Sequence, residues 1–69
     1  MSEVLPLKEW RLRKYWSIRK LAKEAGVSTE AIMRAERGQR SFEVTQRKIA
    51  DALGVHPSEI SEFEVRHGK

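Results

Sequence analysis

The sequence contains no cysteine and no long apolar run among its 69 residues. Without cysteine it can form neither a disulfide framework nor a thiolate metal site, which suits a reducing compartment. No stretch approaches the roughly 20 apolar residues that cross a membrane, and the first residues lack the charged and apolar regions of a signal peptide. We therefore expect a cytoplasmic protein that does not associate with membranes.

Residues that commonly carry catalysis are also scarce. The two histidines are His56 and His67, and His56 precedes Pro57 at an expected helix start. Neither histidine is accompanied by cysteine, by paired carboxylates in a cleft pattern or by a glycine loop that holds phosphate. We expect no catalytic activity, no bound metal and no cofactor.

The positive charge is concentrated in the first part of the chain. Residues 8–48 hold 12 Lys and Arg against five Glu, a local net charge of +7, in a chain whose net charge is +4. Residues 49–65 hold four acidic residues and no Lys or Arg, a local net charge of −4. This division indicates one surface for a polyanion and another that faces elsewhere. Basic residues that only keep exposed helices in solution explain the charge equally well.

Helix start and stop signals recur along the chain, whereas no sustained period-two alternation indicates a strand. Ser17 and Ser28 stand where helix N-caps are expected, and Gly26, Gly38 and Gly54 stand where helices should end. These signals predict an all-α fold, a compact bundle of five short helices. The predicted helices are residues 6–14, one between Ser17 and Gly26, residues 28–37, residues 43–53 and a short helix that begins at Pro57.

Apolar residues at helical spacing are expected to form the core. A chain of this length buries only about 60% of its unfolded surface, so the core is small. We expect residues 1–69 to form a single domain, with its core in residues 7–63 and a flexible tail over residues 64–69. The side chains expected to face inward are Leu7, Trp10, Leu12, Leu21, Ala22, Ala25, Val44, Ile49, Ala52, Leu53, Ile60 and Phe63.

The second and third predicted helices are joined only by the short segment "AGVS". A joint this short turns the chain sharply, as in a helix-turn-helix unit. Ala22 is small where the next helix must cross, and Gly26 stands where the turn needs left-handed backbone. The positions at which the two helices should meet are all apolar: Leu21, Ala25, Val27, Ile32 and Ala35.

The stretch "WSIRKLAKEAGVSTEAIMRAERG" resembles the helix-turn-helix of the phage-repressor-like family of transcriptional regulators, the Cro/CI or XRE group. The segment "KIADALGV" is similar to the fourth helix of that family, and the likeness covers residues 7–63. The resemblance implies a lambda-repressor-like bundle of five helices that binds double-stranded operator DNA, usually as a dimer. It thus implies a sequence-specific regulator of transcription that acts by occupying an operator.

The resemblance also implies that the third helix reads bases in the major groove. Its outward residues would be the readers: Thr29, Glu30, Met33 and Arg34. Arg34 can donate two hydrogen bonds to guanine, Glu30 can accept one from cytosine, and Thr29 or Met33 can touch a thymine methyl. Roles without DNA stay open for each of them. Glu30 suits a helix N-terminus in any case, Arg34 can pair with Glu30, Met33 can simply be an exposed apolar residue, and the role of Thr29 is undecided.

Three cations near the start of the second helix point to phosphate. Arg19, Lys20 and Lys23 crowd the first turns, where the helix dipole favours acidic residues. A DNA phosphate at that helix end would explain them. The loop after the third helix is rich in donors that would follow one DNA strand, although an ordinary polar connector explains it equally well. The predicted phosphate-binding residues are Ser17, Arg19, Lys20, Lys23, Ser28, Arg37, Gln39 and Arg40.

The resemblance further implies a partly buried ion pair between Arg11 and Glu36. Ile18 departs from the family pattern, because glutamine is common there and isoleucine cannot form its hydrogen bond. Tyr15 occupies a position that is often glycine, which predicts a different backbone in the first turn. Two further departures are Phe42, where proline is common, and Arg47, where an apolar residue is usual.

The predicted partners are double-stranded DNA and a second copy of the chain. The apolar residues Ile60, Phe63 and Val65 are candidates for a dimer surface on the C-terminal helix, although Ile60 and Phe63 equally fit the core of the monomer. The alternative function is a protein-interaction module on the same fold, such as an antitoxin or anti-repressor component with a protein partner. Five basic side chains discriminate between the two functions: if they lie on one surface, DNA binding is favoured, and if they are scattered, the interaction module is favoured. They are Arg19, Lys20, Lys23, Arg34 and Arg40.

Overall fold

The computed structural model describes residues 3–39 and 41–63. In this part of the chain the structure is all-α, and its one β-type contact is an isolated bridge between Leu5 and Ile60. None of the described helices combines the length and the apolarity needed to span a bilayer. The helices are α1 (Leu7–Arg13), α2 (Ile18–Ala25), α3 (Thr29–Glu36) and α4 (Glu43–Leu53), followed by 3₁₀ turns at Pro57–Glu59 and Ser61–Phe63.

Side-chain caps and glycines define the ends of α2 and α3 largely where the sequence predicted them. The hydroxyl of Ser17 accepts the N–H of Lys20 at 3.0 Å. The hydroxyl of Ser28 accepts the N–H of Ala31 at 3.1 Å in the same way. Gly26 ends α2 with a φ of 73°, a left-handed conformation that costs glycine little. The helix-turn-helix boundaries therefore follow from local chemistry.

The core lies where all the elements meet. Its largest fully buried side chains come from α1, α2, α3, α4 and the C-terminal segment: Leu7, Leu21, Ile32, Ile49 and Ile60. Two predicted core residues are instead exposed, Leu12 by 45% and Val44 by 64%. Each stands five residues from a buried residue of its helix, Leu7 or Ile49, and so is rotated by about 140° from it. Both predictions were therefore wrong.

The C-terminal segment does not form the predicted fifth helix. Ile60 has extended backbone (φ −104°, ψ 117°) between the two 3₁₀ turns. The N–H of Leu5 donates to the carbonyl of Glu59 at 3.0 Å, and the N–H of Ser61 donates to the carbonyl of Leu5 at 2.9 Å. Pairing with the N-terminal segment thus replaces the helical hydrogen bonds that a continuous helix would need.

This arrangement corrects the predicted dimer surface. Ile60 is 0% exposed and Phe63 is 3% exposed, so both complete the core of the monomer. Neither side chain can contact a second copy without unfolding the segment. Val65, the third candidate, and the predicted tail over residues 64–69 lie outside the described residues.

The turn between α1 and α2 places Tyr15 in left-handed backbone. Its φ is 59° and its side chain is 95% exposed. The N–H of Tyr15 donates to the carbonyl of Leu12 at 2.9 Å, which closes the turn. Left-handed backbone costs an L-residue about 1–2 kcal/mol. The chain thus holds a tyrosine in a backbone conformation that favours glycine.

Candidate nucleic-acid interface

The α2–α3 unit presents one face of α3 to solvent. Ile32 and Ala35 are fully buried and hold α3 against the body of the protein. At about 100° per residue, the opposite positions 29, 30, 33 and 34 span about 140° of the helix. The structure therefore exposes all four predicted base-reading residues on one continuous face: Thr29, Glu30, Met33 and Arg34.

A nearly buried ion pair fixes the C-terminal end of α3. The Nε of Arg11 lies 2.7 Å from the Oε2 of Glu36. The Nη1 of the same arginine donates to the carbonyl of Trp16 at 2.8 Å. Arg11 on α1 thus connects the end of α3 with the residue just before the Ser17 cap of α2. This connection sets where the two helices of the helix-turn-helix lie relative to α1.

Arg34 has a loose intramolecular partner on α3. Its Nη2 lies 3.6 Å from the Oε2 of Glu30, and both side chains are exposed. This separation is too long for a hydrogen bond, and exposed pairs of this kind contribute only about 0–1 kcal/mol. The pairing that the sequence left open therefore exists, but it leaves the guanidinium donors of Arg34 available to a ligand.

The three predicted phosphate-binding cations of α2 are exposed, and the first turn of this helix contains no acidic residue. The Nζ of Lys20 lies 2.8 Å from the Oε2 of Glu24. This hydrogen bond and the charge of Lys20 lower the pKa of the Glu24 carboxyl. Arg19 and Lys23 form no ion pair with any residue in the described ranges. Two of these three cations are thus free of intramolecular partners there.

Backbone donors accompany the cations at the start of α2. The Ser17 hydroxyl accepts only the N–H of Lys20, at 3.0 Å. Helix geometry leaves the N–H groups of Ile18 and Arg19 without intrahelical acceptors. The Ile18 side chain packs against the core, so it cannot replace the hydrogen bond of a glutamine. Phosphate at this end would therefore meet backbone N–H groups and the side chain of Arg19.

One cation near this helix end was not among the predicted site residues. The Nζ of Lys14 lies 5.3 Å from the centre of the Trp16 ring, and the Nζ of Lys20 lies 5.9 Å from the same ring. Both distances are within the range of cation–π attraction. The sequence signal for this contact is the spacing of Lys14 and Trp16, two residues apart and just before the Ser17 cap.

The loop after α3 continues the polar surface. Arg37 is the C-cap of α3 and is exposed, and Gln39 is exposed two residues later. The N–H of Gln39 donates to the carbonyl of Arg34 at 3.0 Å, which folds the loop back on the helix. The hydroxyl of Ser28 is occupied as an acceptor by the α3 cap but keeps its own proton to donate. Arg40 lies outside the described residues.

Comparison with known proteins agrees with this geometry. The sequence model of a family described as a helix-turn-helix domain matches residues 6–63, which include all the helices found in the described residues. Neither the curated proteins nor the solved structures gave a match to this chain. The helix-turn-helix is a DNA-binding fold in which the second helix of the unit enters the major groove. On the extent of this match, the chain belongs to the helix-turn-helix domain family.

Proposed function

We propose that this protein is a sequence-specific, double-stranded DNA-binding regulator of transcription of the phage-repressor-like (Cro/CI, XRE) type. The observation that supports this most strongly is the exposed face of α3. Ile32 and Ala35 are buried and hold the inner side of that helix against the core. The residues on its outer side are therefore not needed for packing and are free to contact DNA. Four side chains suited to base edges occupy that side: Thr29, Glu30, Met33 and Arg34.

Base reading centres on Arg34 in this proposal. Its guanidinium donates two hydrogen bonds to the O6 and N7 atoms of a guanine. Glu30 accepts from the amino group of a cytosine, and Thr29 and Met33 contact thymine methyl groups. The 3.6 Å separation between Glu30 and Arg34 is loose enough for each to turn to a base.

Phosphate binding flanks the reading helix. Arg19 and Lys23 on α2 contact one stretch of DNA backbone, together with the free N–H groups at the start of that helix. Lys20 also contacts this backbone, with its ammonium turning from Glu24 to a phosphate. The remaining phosphate-binding residues of the proposal are Ser17, Ser28, Arg37, Gln39 and Arg40.

We further propose that the protein binds DNA as a homodimer through the start of α4. Phe42 is 83% exposed there and Val44 is 64% exposed, and Glu43 and Arg47 lie near Val44 on the same helix. Glu43 and Arg47 are one helical turn apart and form no ion pair within the described residues. Across a two-fold axis near residue 45, each Glu43 faces the Arg47 of the second copy, as a self-complementary interface requires.

Titration of a random-sequence duplex at several salt concentrations tests the phosphate contacts. Lys23→Gln should lower the affinity and flatten the dependence of log K on log salt by about 0.9, because one phosphate contact is lost. Lys8→Gln on α1 is the matched control for net charge and should leave the slope unchanged. Equal slopes for the two variants would remove Lys23 from the DNA interface.

A further inference from the structure

Lys20 differs from its two neighbouring cations on α2 in having an acid beside it. The Nζ of Lys20 and the Oε2 of Glu24 are 2.8 Å apart, one helical turn along the same exposed surface. Arg19 and Lys23 have no such partner among the described residues. Glu24 therefore forms an ion pair with one cation of the proposed phosphate-binding set, whereas Lys23 acts on its carboxylate only through its charge.

The pair is accessible to a DNA backbone. The Lys20 side chain is 46% exposed and the Glu24 side chain is 40% exposed. The pKa of Glu24 is lowered by the hydrogen bond and the charge of Lys20, so its carboxylate remains ionised at neutral pH. A phosphate that approaches the ammonium within hydrogen-bonding distance must also approach this carboxylate.

Glu24 could either strengthen or weaken DNA binding, and the two cases predict opposite changes in affinity when Glu24 is replaced. If Glu24 only aimed Lys20 at a phosphate, its loss would weaken DNA binding. The carboxylate, however, is itself repelled by phosphate and cancels the charge on which counterion release depends. The ammonium of Lys20 has three donors and can contact both groups, but the carboxylate adds a negative charge beside the phosphate and so reduces the counterion release on binding. We expect this repulsion to outweigh any benefit of orientation.

From this arrangement we infer that Glu24 attenuates DNA binding, because its carboxylate pairs with Lys20 and opposes the contact of Lys20 with a phosphate. The inference rests on the proposed DNA-binding function. It assigns Glu24 a role that acts equally on operator and random DNA, since both complexes present the same backbone. The reading helix α3 is not involved.

The test measures affinity for a random-sequence duplex as a function of salt concentration. Glu24→Gln should bind about three- to tenfold more tightly than the parent at low salt, with a slope steeper by up to about 0.9. Asp51→Asn is the matched control, because Asp51 is exposed on α4 and the variant has the same net charge. It should change the affinity less than Glu24→Gln.

A second pair of variants assigns the effect to Lys20. Lys20→Met should flatten the salt slope less when Glu24 is present than in the E24Q background. In the E24Q background the same substitution should remove most of the gain in affinity and slope. Thermal unfolding followed by circular dichroism checks that all the variants are folded.

The possible failures are distinct. The inference about Glu24 would be overturned if Glu24→Gln bound DNA more weakly than the parent, or if its effect were no larger than that of Asp51→Asn. DNA binding by the wild-type protein would still support the proposed function in either case. A wild-type protein that binds no duplex at any salt concentration would overturn both.

Discussion

At the scale of single residues, Arg34 is the side chain on which the proposed base recognition depends most. It is exposed on α3, and its contact with Glu30, at 3.6 Å, is weak. Arg34→Ala should therefore cost about 1–3 kcal/mol on the preferred site and relax the preference at one base position. Binding titrations with the preferred and a random duplex measure this difference.

Arg13→Ala provides the control for Arg34, since Arg13 is an exposed arginine on α1 that pairs with Glu3. The two variants have the same net charge. An equal loss of affinity on both duplexes after Arg34→Ala would show that Arg34 contacts phosphate rather than a base.

Tyr15 is a residue whose replacement should stabilise the protein. Its left-handed backbone is strained for an L-residue, and its exposed side chain makes little apolar contact. Tyr15→Gly should raise the free energy of unfolding by about 1 kcal/mol, because relief of strain exceeds the added flexibility of the unfolded chain. Urea unfolding monitored by tryptophan fluorescence measures the change.

Tyr15→Ala separates strain from the loss of the aromatic ring. Alanine keeps the Cβ atom and therefore keeps the strain. A glycine variant that is less stable than the alanine variant would mean that the backbone at this position stores little strain.

At the scale of elements, the Arg11–Glu36 pair couples α1, α2 and α3. Removing one partner of a buried ion pair leaves the other charge uncompensated, at a cost of about 3–5 kcal/mol. Arg11→Met should therefore lower the free energy of unfolding by about 3 kcal/mol. The double variant Arg11→Met, Glu36→Leu should recover part of this loss, because no buried charge remains. A single variant as stable as the parent protein would contradict the structural role.

Elements with local signals could be predicted from the sequence. The hydroxyls of Ser17 and Ser28 and the left-handed Gly26 act within four residues of their own positions, so α2 and α3 have almost the predicted bounds. The four outward residues of α3 follow from the same bounds. Prediction of exposure was therefore reliable wherever the helix phase was set by a cap.

Elements that depend on distant partners could not be predicted. The Oε1 of Glu62 accepts the N–H of Leu7 at 2.7 Å, across 55 residues of sequence. The carbonyl of Glu59 accepts the indole N–H of Trp10 at 2.8 Å. These contacts fix the C-terminal segment as two 3₁₀ turns, and no local pattern reveals them. The choice between core and dimer surface for Ile60 and Phe63 stayed open for the same reason, because the C-terminal segment pairs with the distant N-terminal segment.

At the scale of the whole molecule, recognition of a symmetric operator requires two copies of the chain. Val44→Glu should weaken the proposed dimer by placing like charges across the two-fold axis at the start of α4. Sedimentation at increasing protein concentration should then show monomer where the parent protein forms dimer. Val4→Glu is the control, since Val4 is also an exposed valine but lies before α1. Identical association of the two variants would exclude this surface.

The most direct test of the account is selection of random double-stranded DNA by the purified protein at two salt concentrations. A dimeric, sequence-specific regulator should enrich a two-fold symmetric site whose half-sites are about 34–36 Å apart, with affinity that falls steeply as salt rises. A single enriched half-site would retain base reading by α3 and contradict the dimer. No enrichment, at protein concentrations that bind every duplex equally, would contradict sequence-specific regulation and favour a protein-interaction module on the helix-turn-helix fold.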